Sequence, residues 1–354
     1  MKILAALALC LLLCGCDGLP RAREMGDMAL LRTMGVDGDG QSVSLSVSTG
    51  PRARGLQAEG QPALVLSAKG DSLSSACLSL QGQSDSYVFF GHVDQLLVGE
   101  ELAREGLEPV LNYFVRDGEL GMDAQLWIIR GDTAQQAVAS GGDNGVEARL
   151  STLRTDGDLG VALRSRTVGE VYADLLERGA AFVPALSLVE QGDTALAERG
   201  YGILVEDRLV GFLDGEAAEG LELLIGQPER DMLSFEFKEE SYVLQVLGAE
   251  TSFRFREDGR KLLVRCRVEA RLEEFESEPG QRGWEELVRA LEGREAARIG
   301  AALDRLRPWR ADCVGAGNKA GSASPGLWQE VQGNWPGMFE DVDVEVQVEA
   351  KLHR

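Results

Sequence analysis

Tyr87-Val88-Phe89-Phe90-Gly91-His92-Val93-Asp94-Gln95-Leu96-Leu97-Val98-Gly99-Glu100-Glu101-Leu102-Ala103-Arg104-Glu105-Gly106-Leu107 decides the fold class. Its first part, Tyr87 to Val98, reads as one strongly apolar buried strand. From Glu100 to Phe114 the pattern is helical, with acids in the first turn and Pro109 admitted at a new first turn. Leu126-Trp127-Ile128-Ile129 is the next buried strand, and Ala63 to Ala68 is another upstream. Between those outer strands Ser72 caps a helix carrying Leu73, Ala76, Cys77 and Leu80 at helical spacing. Strands that alternate with helices imply parallel neighbours and a sheet for the helices to cover. Residues 60–130 are therefore expected to form an α/β layer.

Upstream, Val43-x-Leu45-x-Val47 alternates as a strand does. Asp37 and Asp39 resemble the start of a calcium loop, but the remaining ligand spacing is missing, and a polar hairpin turn is the better reading. Downstream, Ala134 to Ala139 is a short helix. Ser140 to Gly145 reads as a flexible connection, since no lysine stands in P-loop register. Thr167-x-x-Glu170 is a capping box for a helix that Gly179 ends. Tyr201 to Leu213 reads as a hairpin about Glu206-Asp207. A helix from Glu216 to Leu224 follows, then strand runs at 231–237 and 242–249 and a hairpin at Asp258-Gly259.

A long amphipathic helix is expected from Trp284 to Leu306, with Leu287, Leu291, Ile299, Leu303 and Leu306 as its buried stripe. Trp309 to Trp335 reads as irregular. The chain closes on Val342-x-Val344-x-Val346-x-Val348, a strand with one buried face. The fold class is thus α+β with mixed α/β character. It is multi-domain, with mixed sheets under covering helices, and ends in an antiparallel sheet plus one long helix. The expected division is 1–15 as a signal peptide, 16–190 as N-terminal α/β and 191–354 as C-terminal α+β, with a further split near 225–235.

The amino terminus carries its own chemistry. Lys2 precedes a short apolar run that ends Leu13-Cys14-Gly15-Cys16. A basic start, a run too short to span a bilayer and a small residue before cysteine read as a lipoprotein signal cleaved before Cys16. Cys16 would then carry diacylglycerol and an N-acyl chain such as palmitate. More than one acyl chain anchors durably where a single chain binds marginally.

Composition narrows function further. With 44% hydrophobic residues over 354 positions the chain can bury real cores. A formal charge of -22 leaves no basic footprint for nucleic acid and no polybasic grip on anionic lipid. Cys77, Cys266 and Cys313 match no zinc spacing, and the sequence leaves open whether any two of them bridge. Only His92 and His353 are histidines, which disfavours triads and His-based metal sites. His92 reads first as a hydrogen-bonded structural residue, Glu100-Glu101 as helix-dipole partners and Asp214-Gly215-Glu216 as a helix cap. Arg116-Asp117 reads equally as an ion pair or a contact point. Trp309, Trp328 and Trp335 read as core before interface.

Several stretches together resemble the Ger(x)C family of spore germination lipoproteins. They are Arg23-Glu24-Met25 and Met34 to Asp37 after Cys16, Ser72 to Ala76, Phe89 to His92, Leu96 to Leu107 and Arg116-Asp117. Leu209 to Asp214, Gly220 and the Trp309, Trp328, Trp335, Phe339 series before the closing strand complete the set. Departures are Asp17, where the family usually has tryptophan, and the Asp312-Cys313-Val314-Gly315-Ala316-Gly317 variant of an Asp-x-x-Gly-x-Gly pattern. The resemblance implies three mixed α/β domains. It implies a non-enzymatic C subunit of a nutrient germinant receptor, on the outer face of the spore inner membrane, acting with a polytopic A and a polytopic B subunit. No catalytic residue carries over. The competing readings are a solute-binding lipoprotein of a transporter and, last, a carboxylate-using hydrolase.

Overall fold

The computed structural model describes residues 28–50, 62–158, 162–191, 193–226, 232–237, 240–275 and 280–353. The expected signal segment 1–15 and the expected lipidation residue Cys16 lie outside the described residues.

The first half builds β1 (Met28–Leu30), β2 (Thr33–Gly38), β3 (Val43–Ser48), β4 (Val65–Gly70), α1 (Leu73–Gln81), β5 (Tyr87–Phe89), β6 (Gln95–Gly99), α2 (Glu100–Glu105), α3 (Glu108–Arg116) and β7 (Gln125–Ile129). Next come α4 (Ala134–Ala139), α5 (Glu147–Asp158), α6 (Val168–Arg178), β8 (Ala180–Gln191), β9 (Asp193–Val205), β10 (Arg208–Leu213) and α7 (Glu216–Ile225). The last third contains β11 (Met232–Phe237), β12 (Glu240–Arg256), β13 (Lys261–Phe275), α8 (Gln281–Leu306), α9 (Ala316–Ala323), α10 (Pro325–Val331), α11 (Trp335–Asp341) and β14 (Asp343–His353). Capping boxes at Ser72, Thr133 and Thr167 start α1, α4 and α6, each satisfying otherwise orphaned amide donors.

Eight strands form the main sheet in the order β10-β9-β8-β7-β6-β2-β3-β4. Its centre, β2-β6-β7-β8, is parallel, and its flanks are antiparallel hairpins. The period of two along β6 and β7 divides the side chains between two cores. Leu96, Val98, Leu126 and Ile128 meet helices α1, α2, α3 and α6 through Leu80, Leu102, Phe114 and Val171. Leu97, Trp127 and Ile129 meet α4 and α5 through Ala134, Val138, Leu150 and Leu153. Each fully buried Leu, Ile, Val or Phe among them contributes roughly 1.5–3 kcal/mol relative to exposure.

A third core lies between the second sheet, α7, α8 and one face of β8–β10, where Phe182, Tyr201, Ile203 and Leu213 pack. The predicted stripe of α8 is fully inside it, with Leu287, Leu291, Ile299 and Leu306 all inaccessible to solvent.

Four expectations change. Tyr87 to Val98 is two strands in different sheets, because the chain turns at Phe90 to Asp94, with the Val93 amide donating to Phe90 O at 3.0 Å. Ser140 to Gly145 is tied down, for the Ala63 amide donates to Asp143 O at 2.7 Å. The Trp309 to Trp335 stretch is mostly helical. Pro325 and Pro336 sit in first turns, and Gly317 and Gly321 give the indoles of Trp335 and Trp328 close approach. The C-terminal sheet, order β11-β12-β13-β14, is mixed, since β14 runs parallel to β13. Its strand pattern shows one buried face but not direction; the crossover through α8 returns the chain to the starting end of β13 and so makes the last pair parallel. The 190/191 junction is the tip of the β8–β9 hairpin, and both arms belong to the main sheet.

Candidate functional site

The carboxyl ends of the parallel strands carry a dense set of charges. Connections from β6 and β7 leave toward opposite faces, α2 to one core and α4 to the other. Such a divergence opens a crevice at the sheet end. The crevice, about 480 Å³, is lined by Glu100, Glu101, Arg104, Asp132 and Gln136 among others. Asp37, at the end of β2, accepts from the amides of Ala134 (2.8 Å) and Gln135 (2.9 Å), so it caps α4 from another strand. Burial pushes its carboxyl above the usual range, against the pull of those two amides. A Cβ at Gly99 would stand 2.1 Å from Asp37 Oδ1, so only glycine leaves that path open.

Glu100 accepts from Arg104 Nη2 at 2.7 Å and from the Gly131 amide at 3.0 Å. Arg130, leaving β7, pairs with Asp214 at 2.6 Å and lies 4.4 Å over the Phe212 ring. Three distant stretches thus meet here: Gly99 to Arg104, Arg130 with Gly131, and Phe212 to Asp214. A second constellation is internal. Asp174 on α6 bridges Arg166 (2.6 Å) and Arg178, and Arg178 Nη1 reaches Cys313 O at 3.4 Å. Beside it buried Asp312 accepts from the amides of Ala316 (2.7 Å) and Gly317 (2.8 Å) and from Trp335 Nε1 (2.7 Å). This network joins α6 to the segment that starts α9.

These groups are committed to holding structure. Burial pushes the Cys266 thiol up to about 11 and Cys313 up to about 12, and raises Cys77, so none is a thiolate at neutral pH. All three are free and buried. Among the described residues no group of three His, Cys, Asp or Glu is placed to hold a metal. No helix among them is long and apolar enough to cross a membrane.

Several singled-out residues have other surroundings than expected. His92 sits in the exposed turn, edge-on to Phe89 at 5.7 Å, rather than within a strand. Asp214 does not cap α7; it pairs with Arg130, 84 residues away in sequence. Asp117 accepts from the amides of Glu119 and Leu120 rather than from Arg116. Asp39 accepts from the Gln41 and Ser42 amides, the polar turn its spacing suggested. Trp328 and Trp335 pack with each other and with Phe255, and Trp309 lies against Gly211. Sequence reading missed Arg130 and the Arg166–Asp174–Arg178–Asp312 network. The i,i+4 spacing of Asp174 and Arg178 was the one local signal for it.

Fold and charge network together define a mixed α+β scaffold whose eight-stranded and four-stranded sheets share a core and whose polar groups mostly hold elements in place. A family described as the N-terminal domain of spore germination proteins matches residues 21–188, and one described as spore germination B3/GerAC like, C-terminal, matches residues 199–354. Spore germination protein B3 of Bacillus subtilis (strain 168) is 22% identical over 362 residues, 97% of this chain and 94% of that protein. The putative spore germination protein YfkR of the same strain is 20% identical over 368 residues, 98% of this chain and 94% of that one. The crystal structure of the GerBC protein has the same fold, with a TM-score of 0.62 at 17% identity, covering 91% of this chain and 97% of that chain. The chain belongs to the Ger(x)C family of spore germination proteins.

Proposed function

We propose that this chain is the lipid-anchored C subunit of a nutrient germinant receptor. In this reading Cys16 carries diacylglycerol and an N-acyl chain and holds the folded body on the outer face of the spore inner membrane. Polytopic A and B subunits are its partners, and its part is assembly or signalling without chemistry of its own. The observation that carries the reading is family membership over both halves of the chain, with the relatives matched nearly end to end. The use of the charged side chains supports it: they cap helices and join elements, and the thiols are held neutral. A tether raises the effective concentration of a soluble body beside membrane partners, so contacts weak in solution become effective. The solute-binding alternative asks for two like α/β lobes about a cleft, whereas the second sheet here has four strands and one long helix.

The test is deletion together with tagged purification from spore membranes. Loss of nutrient-triggered germination, retained germination by routes that bypass the receptor and recovery of two polytopic proteins are expected. Cys16→Ala should take up no labelled palmitate and leave the membrane fraction. Labelled fatty acid on the Ala variant refutes the anchor, and a deletion strain with unaltered nutrient responses refutes the receptor role.

A further inference from the structure

A groove of about 860 Å³ lies beside α2 and shares Gly38 and Leu102 with the charged crevice. Its walls come from five places: the β2–β3 turn, the start of α1, the α2–α3 junction, α3 to its C-terminal end and the β9–β10 turn. The floor is apolar, with Leu73, Leu102 and Val110 exposed by only 7%, 9% and 4%. The rim is acidic. Asp71, Glu105, Glu108, Asp117 and Asp207 face it, against Arg116 and Arg208 alone.

The rim acids are not spent on each other. Asp207 accepts from the Glu108 amide at 3.2 Å and Asp117 from the Glu119 amide at 2.8 Å, so backbone holds these two carboxylates in place. The Asp71 and Glu105 side chains are exposed, and neither carboxylate has a hydrogen-bond or ion-pair partner among the described residues. Small-molecule sites need a few convergent polar groups set deep in the pocket. Here the polar groups stand on the rim and the floor is hydrocarbon. That division suits an amphipathic segment laid into a groove, with apolar side chains down and charged ones out. In a chain of net charge -22, an acidic rim repels acidic partners and selects basic ones.

We infer that this groove docks a lysine- or arginine-bearing amphipathic segment of an integral membrane partner, with its apolar side chains on Leu73, Leu102 and Val110. The inference rests on the receptor-subunit reading and adds the surface and the chemistry of what it meets.

The test uses the full lipidated chain in spores, with a benzoylphenylalanine photocross-linker at Asn112 inside the groove or at Ser322 on α9 away from it. The expected product from Asn112 joins it to a membrane-protein peptide rich in Lys or Arg. Asp71→Lys with Glu105→Lys should lower recovery of the partner about tenfold, since two exposed pairs become two repulsions. Both positions are exposed, so the melting temperature of the double variant should match wild type and exclude misfolding. A cross-link to a second copy, a cross-link to a neutral or acidic segment, or unchanged recovery from the double variant overturns the inference. Membrane partners that co-purify and cross-link at Ser322 but not at Asn112 overturn it while the receptor reading stands. A wild-type chain that brings down no integral membrane protein removes both.

Discussion

Replacement of Asp312 by Ala tests whether the buried network holds the C-terminal segment to the rest of the chain. Asp312 is only 4% exposed and accepts three hydrogen bonds, from the Ala316 and Gly317 amides and from Trp335 Nε1. Loss of a helix-capping acceptor costs about 1 kcal/mol. A hydrogen bond to a charged acceptor is worth about 1.5–3 kcal/mol, and the orphaned indole N–H stays buried. The neighbouring Arg178 also loses a counter-charge, since Asp312 favours its charged form. Together these give a destabilisation of about 3–5 kcal/mol, the range for one partner removed from a buried charged set. Asp312→Asn keeps a capping oxygen and should cost less than half as much. Urea titration followed by tryptophan emission measures both, because Trp335 is one of the donors. An Asp312→Ala midpoint within the error of wild type would refute the network as a structural tie.

Other outcomes follow from single contacts. A Cβ at Gly220 on α7 would stand 1.9 Å from Arg298 O on α8, backbone that cannot yield; Gly220→Ala should destabilise by about 3 kcal/mol by thermal or urea unfolding, and a neutral result would mean the helices separate freely. Burial raises the Asp37, Glu147 and Glu198 carboxyls, so folding favours their protonated forms. The stability they contribute is complete below the unfolded-state values and is lost as pH rises through the raised ones. Asp37→Asn keeps one of the two oxygens that cap α4 and should flatten the fall in melting temperature as pH rises above the unfolded carboxylate range; an unchanged slope counts against it. Thiol titration of the native chain with Ellman's reagent at pH 8 should find Cys77, Cys266 and Cys313 silent until denaturant is added. Rapid reaction of any one of them in the native state contradicts the packing.

Local patterning made most elements readable. The cap at Ser72, the capping box at Thr167 and the leucine stripe of α8 are rules of a few residues, and the structure follows them. What stayed hidden depends on pairing across distance. Tyr87 to Val98 reads as one strand because its two apolar runs are close together; Gly91, His92, Asp94 and Gln95, which interrupt them, mark where the chain turns from one sheet to the other. The direction of β14 is set by the crossover through α8, not by the valines themselves. Glycine and proline between Trp309 and Trp335 suggested irregularity, because close indole packing on Gly317 and Gly321 leaves no sequence period. The Arg130–Asp214 pair spans two strands of one sheet, and only topology brings it together.

The β8–β10 strands form a party wall. Ala181, Val183 and Leu204 face one core while Phe182, Tyr201 and Ile203 face another. A chain nicked at the tip of the β8–β9 hairpin would leave each fragment with bare hydrocarbon along its cut side. The fragments should therefore aggregate when made singly and reassemble when made together. By the same geometry, a shear of those strands displaces side chains in both cores at once, which gives the body a mechanical route from its first half to its last.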